Sequence, residues 1–260
     1  LQLRLVGIPS TREGLDVEAF ARLCRDGSVR AAVLTPVTHN PTAATLTTPQ
    51  RQAIVSAARS AELMLVEDDI FGHLTGDEQP LLATLAPERT ILTTSFSKCV
   101  APGIRLGYLA APAQYVEPLR QTLYSLGWSA SALQAALINA LTADNVARLC
   151  IAAQRDEALR RMRMAARVLG PALATGNGLA TYHAWLTLPQ TRSLTGFVSD
   201  LALQGILVSP AYHFTMDDSP APDAVRLALS AARDEAELES VLSRIAAALA
   251  AGGNGPGAIV

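Results

Sequence analysis

The sequence predicts an α/β chain with a mainly parallel sheet, followed by a smaller α+β domain, and two patterns carry that expectation. From the N-terminus to about Gly127, short apolar runs of strand length alternate with helical periods, the rhythm of βαβ units. Beyond Gly127 the rhythm changes to two helical stretches, then to short strand candidates around one more helix. The expected organisation is a large domain over 1–127, connecting helices over 128–169, a small domain over 170–251 and a disordered tail over 252–260.

Each element has a local reason. The chain opens on a strand-like Leu3-Arg4-Leu5-Val6, and Ala31 to Thr35 reads as a further strand. Thr48 is a natural N-cap for a helix from Pro49 to Ala61, with proline at the first helical position and Ile54, Val55 and Ala58 as its apolar stripe. Strand candidates follow at Leu63–Glu67, Thr90–Thr94 and Leu106–Ala110. Helices are expected near Ser131–Thr142 and Asn145–Leu169, the longer one carrying Arg155, Arg160, Arg161 and Arg163 on solvated positions and joining the two domains. After a turn at Gly176-Asn177-Gly178 come strands at Ala184–Leu188, Ile206–Ser209 and Val225–Leu229, a helix near Leu194–Gln204, and a final amphipathic helix from Glu235 to about Ala250.

Composition narrows the function. With 50% hydrophobic residues in 260, there is ample material for a core. The formal net charge is −2, from 21 basic and 23 acidic residues, so no basic face for nucleic acid is obligatory. Apolar runs stop short of membrane-spanning length, interrupted by Gln134, Asn139 and Arg244, and no membrane association is expected. Cys24, Cys99 and Cys150 are odd in number and widely separated, which argues against a disulfide framework or a zinc site and fits a reducing cytoplasm. The four histidines lack metal-ligand spacing, so no metal is expected. Leu1 is not an initiator methionine, and the chain reads as the C-terminal portion of something longer.

The chemistry concentrates in four segments. Thr94-Ser95-Phe96-Ser97-Lys98 follows an apolar strand end and leads into Cys99-Val100-Ala101-Pro102-Gly103-Ile104-Arg105-Leu106-Gly107-Tyr108. A lysine in a shielded cleft there is nucleophilic, because desolvation disfavours the charged amine, and such lysines form Schiff bases. Ser95 and Ser97 bring hydroxyl donors and Arg105 a fork suited to a phosphate dianion, with Gly103 and Gly107 letting backbone approach closely. An exposed loop with a solvated charge is the plainer alternative. The second segment, His39-Asn40-Pro41-Thr42, is a proline turn directly after a strand. In the third, Leu63 to Phe71, a buried-strand pattern runs into Glu67, Asp68 and Asp69, at the strand end where α/β folds place ligand-binding groups, though a metal site or a solvated strand end would look similar. The fourth, Ala224 to Ser230, reads as an edge strand bearing Arg226, whose fork suits a carboxylate if it does not pair with Asp223 or Asp234.

In order and spacing these four segments resemble the fold-type I, class I/II aminotransferases that depend on pyridoxal 5′-phosphate (PLP). The resemblance implies the PLP-dependent transferase fold, three-layer α/β/α and here N-terminally incomplete, with a smaller C-terminal domain. It implies a Schiff base through Lys98, a phosphate site from Ser95, Ser97 and Arg105, and Asp68 on the pyridine nitrogen. Asn40 would serve both the ring oxygen and the substrate carboxylate, with a cis Asn40–Pro41 bond, and Arg226 would grip that carboxylate. Two departures stand out: Ala43 replaces the usual glycine of the proline turn, and Phe71 replaces a tyrosine whose hydroxyl bonds the ring oxygen. A glycine-rich phosphate turn and a ring-stacking aromatic, found upstream in the family, are absent from these residues, which implies loosely held PLP.

Within the superfamily, the wording of residues 39–45, 97–103 and 182–189 is most similar to MocR-type regulators, which join a GntR-type winged helix to an aminotransferase-like domain. Two functions follow. The chain is an effector-sensing domain that reacts with an amino acid or amine and signals to a DNA-binding domain elsewhere in the protein, or it is a transaminase acting on an amino acid and a 2-keto acid. A degenerate domain that keeps the fold without PLP is a third reading. A homodimer is expected from the family, and DNA is a partner only through an upstream domain. Trp185, His183, Tyr212, His213 and Phe214 are open to either core packing or ligand contact.

Overall fold

The computed structural model describes residues 3–11, 13–76, 78–127, 129–174, 178–216 and 220–251. The expected tail over 252–260, and the turn at Gly176–Gly178 apart from Gly178 itself, lie outside the described residues. The chain divides into two units, one of Ile8–His39 with Thr45–Asp156, the other of Leu1–Gly7, Asn40–Ala44 and Glu157–Val260. Among the described residues no single helix is long and apolar enough to cross a membrane.

The first unit begins with a short antiparallel pair, β1 (Ser10–Thr11) and β2 (Gly14–Leu15), and helix α1 (Val17–Asp26). Asp16 caps α1 by accepting from the Ala19 N–H at 2.9 Å. Leu3–Val6, expected as a strand, is exposed and forms none; alternating apolar residues without a partner to pair with do not make a ladder. Strands β3 (Ala31–Leu34), β4 (Met64–Asp68), β5 (Thr90–Ser95) and β6 (Gly107–Ala110) form one sheet in that order. The first three run parallel and β6 is antiparallel to β5, the mainly parallel arrangement expected.

Helix α2 (Thr48–Ser60) buries Ile54, Val55 and Ala58 against Leu34 and Leu65 of the sheet, with Phe20 and Cys24 of α1 in the same core. Its N-cap is Thr47 rather than Thr48, one residue earlier than expected: the Gln50 side chain reaches back to the Thr47 N–H at 2.8 Å, half of a capping box. Short helices α3 (Gly72–Thr75) and α4 (Leu82–Leu85) follow β4. Helices α5 (Ala113–Gly127), α6 (Ala132–Ala143) and α7 (Val146–Leu169) follow β6, and α7 passes from the first unit to the second at Asp156–Glu157.

The second unit contains an antiparallel sheet ordered β7 (Leu173–Ala174), β8 (His183–Thr187), β10 (Ala224–Ala228) and β9 (Ser209–Pro210). Helices α8 (Leu194–Leu203) and α9 (Glu235–Ala250) share its core, where Ala184, Leu186, Val225 and Leu227 meet Phe197, Leu201, Leu238 and Leu242. Three expectations are corrected. The strand bearing Arg226 lies between two others and is not an edge. Residues 206–208 stay outside the ladder, the Ile206 N–H being used by the Leu201 carbonyl at the end of α8. Arg161 is buried rather than solvated, because its Nη1 donates to the Leu229 and Ala232 carbonyls at 2.9 and 2.8 Å and its Nε to Glu157.

Candidate functional site

In the first unit the expected residues gather at the C-terminal ends of β4 and β5. Asp68 is the last residue of β4 and pairs with Thr93 of β5. The Asp69 N–H donates to the Thr93 carbonyl at 2.9 Å and Thr94 Oγ1 to the Asp69 carbonyl at 3.1 Å, tying the two strand ends together past the ladder. Strand alternation sends Glu67 and Asp68 to opposite faces. Glu67 is fully buried and accepts from the N–H groups of Leu82 and Ala83 at 2.9 and 2.8 Å. Burial pushes its carboxyl above the usual range, opposed by those two amides and by the Arg51 guanidinium. Asp68 is half-buried; burial raises it too, against the pull of the Ile70 N–H.

Ser95 ends β5, and the chain then turns through Phe96 to Val100, with the Val100 N–H returning to the Phe96 carbonyl at 2.9 Å. Phe96 and Val100 pack with Ile104, Leu106 and Ile138 of α6, which anchors the turn. Ser97 and Cys99 are buried and Lys98 between them is exposed. The shielded cleft expected around Lys98 is therefore not what the structure shows: the turn spends its buried positions on Ser97 and Cys99 and leaves the amine outward. Cys99 is fully buried, its thiol pushed up by desolvation, as inert packing requires.

Arg105 sits just beyond, exposed and in the left-handed region at φ 49°. Gly107 lies opposite Ser95 in the β5–β6 ladder, and a Cβ there would come within 3.0 Å of the Thr94 carbonyl oxygen. A close backbone approach is thus real at Gly107. At Gly103, where one was also expected, a Cβ would meet nothing within 4 Å. Phe71 is buried at the start of α3.

The second unit holds Asn40 and Arg226. The Asn40–Pro41 bond is cis, as expected, and Ala43 is buried with φ 59°, the left-handed conformation that glycine adopts without strain. Arg226 donates from Nη1 to Asn40 Oδ1 at 2.9 Å and from Nη2 to Ser209 Oγ at 3.2 Å. The Phe214 ring lies 5.0 Å from its guanidinium carbon, and Phe214 meets Trp185 edge-on at 6.3 Å. Its partners are therefore two neutral side chains and a ring rather than Asp223 or Asp234. Sequence reading missed Ser209 as a partner, because only the cross-strand register places Ser209 and Trp185 on either side of Arg226.

The structure thus brings Asp68, Ser95, Ser97, Lys98 and Arg105 to one end of the first unit's sheet, and joins Asn40 to Arg226 in the second.

Comparison with known proteins gives the family and the fold. The pattern of aminotransferase class I and II matches residues 4–245. The HTH-type transcriptional regulator YdeF of Bacillus subtilis is 30% identical over 242 residues, covering 93% of this chain and 52% of that protein. The regulator TauR of Rhodobacter capsulatus is 30% identical over 227 residues, covering 85% and 47%. The chain thus spans about half the length of the curated relatives it matches. Among solved structures, the kynurenine aminotransferase of Pyrococcus horikoshii, in complex with PMP, superposes with a TM-score of 0.86 at 19% identity, over 94% of this chain and 63% of that one. The α-aminoadipate aminotransferase LysN of Thermus thermophilus gives 0.81 at 23% identity, over 95% and 65%. The fold is that of fold-type I PLP-dependent aminotransferases, and the chain belongs to the aminotransferase class I and II family.

Proposed function

We propose that this chain is a PLP-binding, aminotransferase-like domain that receives an amino acid or amine and serves as the effector-sensing part of a MocR-type transcriptional regulator. The observation that carries the cofactor reading is the placement of Asp68 beside the strand that delivers Ser95, Ser97 and Lys98. The donor set suits the group: two hydroxyls and a guanidinium for a phosphate, an exposed amine for an aldehyde carbon, and a carboxylate for a protonated ring nitrogen. When bound, PLP supplies an electron-withdrawing ring that makes the α-proton of an amino compound removable.

The residues divide the work. Ser95, Ser97 and Arg105 hold the phosphate, and Asp68 keeps the ring nitrogen protonated. Lys98 would provide the amine that meets the cofactor's aldehyde, and the same amine could carry a proton to or from the substrate α-carbon. Asn40 and Arg226 hold the carboxylate of the incoming compound. The regulator reading draws support from the curated relatives and from Phe71, which lacks the hydroxyl that the usual tyrosine of the resemblance would offer the ring oxygen. Signalling then requires the ligand to bind two conformations unequally. DNA is reached through another domain of the longer protein, and a homodimer is the expected assembly of this cytoplasmic regulator.

The test is a visible absorbance titration with PLP of the protein and of Lys98→Ala. A band that depends on Lys98, shifted once by an amino compound, is the expected result. Repeated turnover with a 2-keto acid would move the assignment to a working transaminase, and no Lys98-dependent band would mean that the fold persists without its cofactor.

A further inference from the structure

We propose that Phe214 and Trp185 make Arg226 a selective anchor, one that prefers carboxylates followed by a flat apolar group over short aliphatic ones. This rests on reading Arg226 as the carboxylate-binding residue. It goes further by assigning a ligand class to the site and a specificity-determining role to Phe214.

The argument starts from strand alternation. Ala184 and Leu186 of β8, and Val225 and Leu227 of β10, are buried in the core shared with α8 and α9. Their neighbours Trp185 and Arg226 therefore stand on the opposite face of the sheet. The register sets Arg226 directly across from Trp185 on one side and from Ser209 on the other, so the three form one cross-strand row. Trp185 and Arg226 are each half-buried, with part of their surface open.

Phe214 closes this row from the short 3-10 turn Ala211–Phe214. Its ring lies 5.0 Å from the guanidinium carbon and meets Trp185 edge-on, with an interplanar angle of 73°. The cation is thus held by Asn40, by Ser209 and by an aromatic ring. Arg226 Nε is buried and has no hydrogen-bond partner among the described residues, so the fork is not saturated by the protein.

A carboxylate on this guanidinium arrives next to two aromatic surfaces. A flat apolar group carried a few atoms behind the carboxylate can lie against them and gain an edge or stacking contact, whereas a short alkyl chain gains little. Ser209 acts through Arg226: its hydroxyl accepts from Nη2 and keeps the fork from rotating, which makes it a positioning residue.

The test is an NMR titration of the chain, without added PLP, with 3-phenylpropionate and with butyrate. The wild type should bind 3-phenylpropionate at least about threefold more tightly, the size of one aromatic contact. Phe214→Leu should bring the ratio to about one while leaving butyrate affinity within about twofold, and Phe214→Tyr, which keeps the ring, should retain the preference. Equal affinities in the wild type, or a preference that survives in Phe214→Leu, overturns the inference. Unchanged binding of both ligands by Arg226→Gln overturns instead the reading of Arg226 as the anchor. Because PLP is left out, neither outcome depends on whether Lys98 forms its bond.

Discussion

Arg226 and Asn40 are 186 positions apart in sequence, and Nη1 of the one donates to Oδ1 of the other at 2.9 Å. Two residues that sequence reading assigned separately to a substrate carboxylate are thus joined within one unit. The bond orients both: it uses the Asn40 oxygen, leaving the amide N–H groups as donors, and it fixes one edge of the guanidinium plane. Replacing Arg226 by lysine keeps a positive charge but cannot reproduce the fork to Asn40 and Ser209. Arg226→Lys should weaken carboxylate binding about tenfold or more, measured by ligand titration, with little change for the corresponding uncharged amides.

Ser209 should show a smaller effect of the same kind. It supplies one of the two hydrogen bonds on the guanidinium, at 3.2 Å. Ser209→Ala removes about 1 kcal/mol of orientation, roughly fivefold in affinity, and Ser209→Thr should restore it. If alanine and threonine behave alike, the hydroxyl is not what positions Arg226.

Glu67 should prove structural in a way that Asp68 does not. Its two oxygens accept from the Leu82 and Ala83 N–H groups, and Arg51 is fully buried nearby in the same unit. Glu67→Gln relieves the cost of a buried charge but turns an NH₂ toward one of those amides and leaves the Arg51 cation less compensated. The facing donors dominate, because a buried polar group left without its partner costs about 1–3 kcal/mol, while Arg51 keeps its bonds to the Leu46, Gln79 and Pro80 carbonyls. Urea unfolding should show a lower midpoint with an unchanged slope.

How far the site was legible in the sequence follows from how local each signal is. Thr94–Gly107, the proline turn and the acidic strand end are contiguous, so their places at strand ends were readable, and the α9 boundaries, set by Asp234 accepting from the Glu237 N–H at 2.8 Å, were too. What escaped was long-range. The pairing of Arg226 with Trp185 and Ser209 depends on register, and the burial of Arg161 depends on carbonyls at Leu229 and Ala232, 68 and 71 residues away. Helix α5 was not singled out either: Pro118 lies inside it, and its apolar residues Val116, Leu123 and Leu126 are exposed rather than packed into a core.

Ala43 offers a test of whether the alanine in the proline turn is a defect. At φ 59° a non-glycine residue carries about 1 kcal/mol of strain, which Ala43→Gly would relieve. The same change removes a fully buried methyl worth about 0.8 kcal/mol and adds unfolded-state entropy of about 0.4–1 kcal/mol. The terms nearly cancel, so Ala43→Gly should change stability by less than about 1 kcal/mol. Ala43→Val adds β-branching to a fully buried residue in the left-handed region and should cost well over that.

Asp68 offers a pH-dependent test of the proposed cofactor site. Without a cation beside it, its carboxyl is raised by desolvation, so the folded chain holds that proton more tightly than the unfolded chain does. The sign follows: the proton's contribution to stability is full below the unfolded value and is lost as pH rises through the folded one. Asp68→Asn, which cannot ionise, should therefore match the wild type at low pH and be the more stable of the two above that window. A protonated ring nitrogen placed against Asp68 reverses the direction, favouring the carboxylate. An NMR titration of the Asp68 carboxyl should then show its midpoint fall when PLP is added, and the stability advantage of Asp68→Asn should disappear in the presence of PLP. A midpoint that stays raised with PLP bound would place the ring nitrogen away from Asp68.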